Sequence, residues 1–225
     1  MRLALDIETV SPHLAPDEWP DFEDSDDFEL LAVALGHDAE GVETTVLFRD
    51  GTSPESELDL IERVLEWCAS RDADTLVTFN GDRFDLLHLR GRAARAAEAV
   101  GDSAVPDRVE RFLDSLEHDD LRTRAVARWG GKPSFEQACA RVDVPVTATH
   151  WADYDHGMEP DDWRRSRDFG SEEVKNGDIP QFGERYLALA EVDARGTLTF
   201  RELERLLTDY ARSDVEPLFA LADAL

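Results

Sequence analysis

Two acidic residues, Asp6 and Glu8, stand at the end of a short apolar segment near the start of the chain. Side chains alternate along a strand, so both carboxylates lie on the same side of a strand that ends here. The D-x-E spacing alone is weak evidence, because it occurs five times in this acidic sequence. This pair differs in closing an apolar strand, where a carboxylate is costly without a counter-charge. We therefore take it as a candidate for chemistry that needs two converging carboxylates.

A second candidate is the segment NGDRFD, which runs from Asn80 to Asp85 and follows a predicted strand. An Asn-Gly pair is typical of a hairpin turn. The residues that follow have helical periodicity instead, which indicates a strand-to-helix boundary, where α/β folds place their ligands. The pattern N-x-x-x-F-D, formed with Phe84, is the most specific signal in the chain, because the sequence contains only two asparagines.

A third candidate lies on the predicted last long helix, where Tyr210 and Asp214 are four residues apart. Residues with this spacing lie one above the other on the same helix face. The pair alone is weak evidence, since a half-buried tyrosine above a solvated aspartate has the same spacing.

The elements that must position these residues follow from periodicity and capping signals. Strands are predicted at 2–7, 30–36, 42–48 and 74–79, a fifth strand or turn near 114–120, and helices at 84–100 and from Ser53, Leu121 and Ser134. The last long helix is predicted to begin with a capping box of Thr199 and Glu202 and to break at Pro217. This order predicts one α/β domain over residues 1–225, with a mixed five-stranded sheet flanked by helices.

The charge of the chain is unusual, with 51 acids against 24 bases and a formal net charge of −27. Lys132 and Lys175 are the only lysines. An acidic, lysine-poor surface is typical of halophilic proteins, because in about 1 M salt the Debye length is roughly 3 Å and distant like charges barely repel. Such a protein can still bind nucleic acid through local contacts, so the net charge does not exclude that class of partner.

Membrane and secreted classes are not expected. No apolar run approaches 18 residues, and Asp6 and Glu8 interrupt the N-terminal apolar segment, so we predict neither a membrane span nor a signal peptide. Cys68 and Cys139 are too few for a disulfide framework or a cysteine-rich zinc site. The sequence predicts a soluble cytoplasmic protein without a membrane partner.

Taken together, in this order, the three candidate segments resemble the motifs of the DEDD superfamily of 3′–5′ exonucleases, whose fold is ribonuclease H-like. LALDIET is similar to the first motif, VTFNGDRFDLLHLRGRA to the second and YARSDVEPL to the third, with Tyr210 typical of the DEDDy subgroup. The sequence resembles most closely the proofreading domains of B-family DNA polymerases and related stand-alone ribonuclease H-like proteins. The resemblance extends from residue 3 to residue 221, and we predict that about 150–197 is an insertion.

The resemblance implies two divalent cations, Mg²⁺ or Mn²⁺, held by oxygen ligands. Asp6 would bridge the two ions, Glu8 and Asp214 would hold the ion that activates water, and Asp85 would hold the second ion. It also implies that Tyr210 orients the attacking water.

The predicted activity is hydrolysis of single-stranded DNA or RNA from the 3′ end. Asn80 and Phe84 are the predicted substrate-binding residues. Two alternatives remain open: an inactive module of the same fold that binds nucleic acid or protein, and a proofreading subunit beside a separate DNA polymerase or within a repair complex.

Other motifs are weaker. His150 and Asp155 have the spacing of the histidine variant of the same superfamily, and His150 with His156 could ligate zinc. Residues 191–202 imitate a calcium-binding loop, although helix capping explains the same residues. Arginine-rich segments near 90, 122 and 164 could contact phosphates, but surface ion pairing is the more common role.

Overall fold

The computed structural model describes residues 1–15, 18–39, 41–160 and 171–225 of the chain. Within these ranges one mixed sheet has the strand order β3-β2-β1-β4-β5. The strands are β1 (Arg2–Val10), β2 (Glu29–Asp38), β3 (Val42–Phe48), β4 (Thr75–Thr78) and β5 (Glu117–Asp120). β1, β2 and β3 pair antiparallel, whereas β4 pairs parallel with β1 and β5 parallel with β4.

Helices cover both faces of this sheet, so the predicted α/β fold with a mixed five-stranded sheet is confirmed. The helices are α1 (Pro54–Ala69), α2 (Asp85–Val100), α3 (Ala104–Asp114), α4 (Leu121–Trp129), α5 (Phe135–Arg141), α6 (Ile179–Glu191), α7 (Leu198–Val215) and α8 (Leu218–Ala224). Within the described ranges, none of these helices is long and apolar enough to cross a membrane.

The alternation of β1 decides which helices its side chains meet. Leu3, Leu5 and Ile7 point to one face and pack with buried side chains of α1, α2 and α3. Ala4 and Val10 point to the opposite face, where they pack against α6, α7 and α8. The even-numbered side chains of β1 therefore face the C-terminal helices.

A glycine allows the end of α7 to approach the sheet closely. A Cβ atom added at Gly36 of β2 would lie 2.9 Å from Val215 Cγ1 and 3.1 Å from Phe219 Cε2. Because a real side chain cannot fit there, the missing Cβ lets Val215, the last residue of α7, rest on the sheet next to Ala4. The neighbouring residue, Asp214, is thereby brought to the level of β1.

The C-terminal helices differ in part from the prediction. The break at Pro217 is confirmed, since α7 ends at Val215 and α8 begins at Leu218. The predicted Thr199 capping box is wrong: α7 begins earlier, and the Thr197 side chain accepts a hydrogen bond from the Phe200 N–H at 3.3 Å. Helix α6 lies inside the predicted insertion at 150–197, of which residues 161–170 are outside the described ranges.

Candidate metal centre

Asp6 and Glu8 lie on the face of β1 that is covered by the C-terminal helices. Their antiparallel partners on β2 are Ala34 and Ala32, whose small side chains leave room above the sheet beside each carboxylate. The register shifts directly after Glu8, which marks a bulge at this end of the strand. The local sequence thus directs two carboxylates into the layer between the sheet and α7.

Asp85 reaches the same place from the other edge of β1. β4 pairs with β1 only as far as Ala4, so among the described residues the following part of β1 has no strand partner on that side. Oδ1 of Asp85, the first residue of α2, accepts a hydrogen bond from the Ile7 N–H at 3.1 Å. This bond fixes the buried Asp85 carboxylate to the strand segment between Asp6 and Glu8.

The third acid of the group comes from α7. One carboxylate oxygen from each of Asp6, Glu8 and Asp214 lies within 4.8 Å of the other two. The three residues belong to segments about two hundred positions apart, and the fold alone brings them together. Asp85 lies beside this group, close enough for its charge to raise the pKa values of all three.

Burial and mutual repulsion dominate the electrostatics of the centre. Burial is the main cause that raises the pKa of Asp6 and of Glu8 well above the usual range, and the neighbouring carboxylates add to it. The pKa of Asp214 rises to about 7 through burial and the charges of Glu136 and Asp85. That of Asp85 also rises to about 7 through burial, although the hydrogen bond from Ile7 opposes the shift. Four carboxylates in this arrangement favour either protons or bound cations.

The donor set fits hard divalent cations. Every donor is a carboxylate oxygen, the ligand type that Mg²⁺ and Mn²⁺ prefer. Glu8 Oε1 is buried and has no hydrogen-bond partner among the described residues. A buried, unpaired carboxylate oxygen is costly in a protein, and a metal ion would satisfy it.

Tyr210 lies on α7 one turn before Asp214 and is buried. Its hydroxyl group donates a hydrogen bond to Asn176 Oδ1 at 2.8 Å. Burial, followed by the charges of Glu8, Asp214 and Asp6, raises the pKa of the phenol far above its usual value. The phenol therefore stays neutral. Because its hydroxyl proton is donated to Asn176, its oxygen can accept a further hydrogen bond.

Asn80 and Phe84, the predicted substrate-binding residues, lie on the turn that precedes α2. Asn80 has a backbone φ of 73° and donates its N–H to Asp120 Oδ1 at 3.0 Å. Phe84 packs among other rings, with centroid distances of 5.4 Å to Phe28 and 6.2 Å to Phe22. Neither side chain belongs to the carboxylate group, although Phe84 directly precedes Asp85.

A cleft of about 210 Å³ opens beside Asp214 and Tyr210. Its other walls include Glu136, Thr149, Lys175 and Asn176. Sequence analysis did not identify Glu136 or Asn176. Glu136 is one acid among many without a distinctive spacing, and Asn176 lies in the segment whose structure could not be predicted.

The histidine and calcium-like motifs are not assembled into sites among the described residues, and the arginine-rich segment near 164 lies outside those residues. His150 and His156 are absent from the metal-ligand group found among the described residues, which consists of carboxylates alone. Glu191 accepts hydrogen bonds from the N–H and the hydroxyl of Thr52, and Glu202 pairs with Arg205, so the ends of the calcium-like loop hold other partners.

Comparisons with known proteins add no assignment: no protein-family model matches the chain, and no curated protein matches it. The fold and the carboxylate group define the class only as an α/β protein with a candidate metal centre.

Proposed function

We propose that this chain is a metal-dependent 3′–5′ exonuclease of the DEDDy type, with a ribonuclease H-like fold, that acts on single-stranded ends of DNA or RNA. One observation carries the proposal: Asp6, Glu8 and Asp214, taken from the first and third resembling motifs, converge within 4.8 Å. Asp85, from the second motif, is fixed beside them by the Ile7 N–H. The resemblance requires all three motifs to converge in the fold. Their spacing in the sequence does not by itself bring them together.

Four carboxylates would hold metal ions, and Tyr210 would orient the attacking water. Asp6, Glu8, Asp85 and Asp214 would hold two divalent cations, which supply charge stabilisation for the attacking and leaving oxygens of the phosphodiester. Tyr210 donates to Asn176 and therefore accepts a hydrogen bond from the attacking water, which turns the lone pairs of that water toward the phosphorus. The nearby cleft beside Asp214 is the place where the terminal residue of the substrate would lie.

A labelled-strand assay tests the proposal directly. Single-stranded DNA and RNA carrying a 5′ label are incubated in concentrated KCl with Mn²⁺ or Mg²⁺, and a chelator serves as the control. We expect a metal-dependent ladder that shortens from the 3′ end, and the substrate that is degraded identifies the nucleic acid. Internal fragments from the start of the time course would indicate an endonuclease. A folded protein that cleaves neither strand would contradict the proposal and favour a binding module.

Asn176 gives a separate prediction about Tyr210. Replacing Asn176 by leucine removes the acceptor of the Tyr210 hydroxyl, so this hydroxyl can rotate and donate to the water instead of accepting from it. We expect kcat to fall about tenfold, the order of one well-placed hydrogen bond, with little change in KM. Steady-state kinetics on the degraded strand measures both quantities.

Two further variants separate positioning from a general loss of structure. Asn176→Asp keeps an acceptor oxygen and is expected to retain most of the kcat that Asn176→Leu loses. In the background of Tyr210→Phe, which has no hydroxyl to position, Asn176→Leu is expected to have no further effect on kcat. If the two substitutions act additively, Asn176 does not work through Tyr210.

A further inference from the structure

A second cleft, of about 290 Å³, lies where the turn after β4 meets the start of α4. Its charged lining comprises Asp82, Arg83, Asp120, Arg122 and Lys132, and Asn80 also lines it. The turn connects β4 directly to Asp85, and the charge of Asp120 contributes to the raised pKa of Asp85. The cleft therefore adjoins the candidate metal centre along the chain.

The cations of this cleft are not neutralised by ion pairs among the described residues. Arg83, Arg122 and Lys132 form no ion pair with any carboxylate in the described ranges. Arginines elsewhere are commonly paired, as are Arg90 with Glu110 at 3.0 Å and Arg124 with Asp119 at 2.6 Å. One of the only two lysines in the sequence also lines this cleft.

The two acids in the cleft have other partners. Asp120 accepts hydrogen bonds from the backbone N–H groups of Asn80, Asp82, Arg122 and Thr123, at 2.9–3.3 Å. Asp82 lies 3.0 Å from His118 Nδ1. Three cations against two carboxylates leave the cleft with a net positive charge inside a chain of net charge −27.

Hydrogen bonds also hold the cleft in shape. Asn80 adopts a left-handed backbone conformation, which the Asp120 carboxylate fixes through the Asn80 N–H. The side chain of Asn80 then accepts a hydrogen bond from Arg122 Nη1 at 2.5 Å, which orients the guanidinium group. Arginine held in this way presents its remaining N–H donors in a fixed direction, which suits a phosphate oxygen.

We propose that this cleft binds a backbone phosphate of the single-stranded substrate, upstream of the linkage that is hydrolysed. Arg122 and Lys132 contact the phosphate, and Arg83, two residues before Asp85 in the chain, adds a third positive charge to the cleft. The inference rests on the proposed nuclease function, which it deepens by adding a binding site outside the carboxylate group. It also gives Asn80 a role, since Asn80 orients Arg122 and does not contact the reacting linkage.

The test compares Arg122→Gln/Lys132→Gln with wild type and with a control that loses the same charge, Arg185→Gln/Arg201→Gln, at exposed residues outside the cleft. Binding of a long oligothymidylate whose last linkages are phosphorothioates is measured by fluorescence anisotropy with Mn²⁺ at one fixed KCl concentration. We expect the dissociation constant to rise roughly tenfold in the cleft variant and to stay at the wild-type value in the control. Lys132→Gln alone, at an exposed residue, gives a smaller rise and guards against misfolding of the double variant.

Cleavage kinetics separates this inference from the proposed function. The ratio of KM for the oligothymidylate to KM for a thymidine dinucleotide is expected to rise by the same factor in the cleft variant, because only the longer strand spans both sites. Wild-type protein that cleaves both substrates, together with a cleft variant of unchanged ratio and affinity, would overturn the inference alone. Absence of cleavage by wild type would overturn the proposed function, and anisotropy would still decide the cleft. Thermal stabilisation by inorganic phosphate that is lost in the variant, with unchanged oligothymidylate affinity, would instead identify a free-phosphate site and overturn the inference.

Discussion

Replacing Asp214 by asparagine is expected to stabilise the metal-free protein at about pH 8 by roughly 2 kcal/mol and to lower the nuclease activity by at least about 100-fold. The two effects have the same origin. Asparagine keeps the size of the side chain but removes a charge that repels the neighbouring carboxylates and that a cation requires. If the Asp214 carboxylate stabilised the fold, its replacement by asparagine would instead destabilise the metal-free protein.

The pH dependence follows from the raised pKa values. Asp214 and Asp85 each have a pKa of about 7 in the folded chain, compared with about 4 for an unfolded aspartate. The folded state therefore holds their protons more tightly. Their contribution to stability is complete below about pH 4 and is lost as the pH rises through 7. Metal-free wild type should thus lose stability from about pH 4 to pH 7 and change little above pH 7, and Asp214→Asn should lose less.

Calorimetry in concentrated KCl with a chelator measures these stabilities over that pH range. Addition of Mn²⁺ is expected to raise the melting temperature of wild type, because a bound ion stabilises the folded state, and to have little effect on the variant. Asp72→Asn, which removes one charge at an exposed residue, is the matched control. It should follow wild type in stability, in pH dependence and in its response to Mn²⁺. A metal-free variant less stable than wild type would show that the Asp214 charge has a favourable partner.

Replacing Glu57 by alanine should lower the free energy of unfolding by about 3–5 kcal/mol, because it removes the carboxylate that pairs with the part-buried Arg92 and leaves the buried Leu30 N–H without its acceptor. Glu57 is 1% exposed, accepts hydrogen bonds from Arg92 Nη2 at 2.8 Å and the Leu30 N–H at 2.7 Å, and lies 4.0 Å from Arg49. These contacts join α1 to β2 and α2. Arg49 is itself 1% exposed and pairs with Glu29 at 2.6 Å.

Glu62 on the same helix supplies the control for this second prediction. Its pair with Arg108 is much more exposed to solvent than Glu57, and loss of such a pair costs less than about 1 kcal/mol. Denaturant unfolding of Glu57→Ala, Glu62→Ala and wild type in concentrated KCl gives the three free energies. Equal losses for the two variants would mean that burial adds nothing to the Glu57 network.

Most of the sheet could be predicted, since β1, β2 and β4 contain short apolar runs, whereas β5 is a polar segment that could be predicted only as a strand or a turn. The predicted strand at 42–48 has the same bounds as β3, and the capping box of Ser134 and Gln137 is present at the start of α5. These features depend on local sequence, where periodicity and capping chemistry are reliable guides.

Helix α3 was not predicted, although its signal is visible afterwards. Val105, Val109 and Leu113 are buried at a spacing of four residues, which is helical. Pro106 suggests a break, but it lies in the first turn, where a helix needs no N–H donor. The helix therefore tolerates a residue that would interrupt it further along.

The candidate site was predictable only in its parts. Asp6 and Glu8 could be placed on one face of a strand from alternation, and Tyr210 above Asp214 from helical spacing. Nothing local indicated that α7 would end directly above β1, because that depends on the missing side chain of Gly36, which a sequence pattern does not reveal. Asn176 is likewise defined by one tertiary hydrogen bond.

The candidate metal centre and the cleft beside Asp214 differ in how their backbone segments are hydrogen-bonded. β1, which carries Asp6 and Glu8, pairs with β2 along its whole length, so its amides exchange with solvent only when much of the sheet opens. In the cleft beside Asp214, the wall with Thr149 and Asn176 lies next to one isolated β-bridge, the only one found outside the named strands in the described ranges, between His150 and Glu173. Fraying of that wall costs far less than opening the sheet. Under the proposed function, a strand end would enter from this side while the carboxylates keep their register.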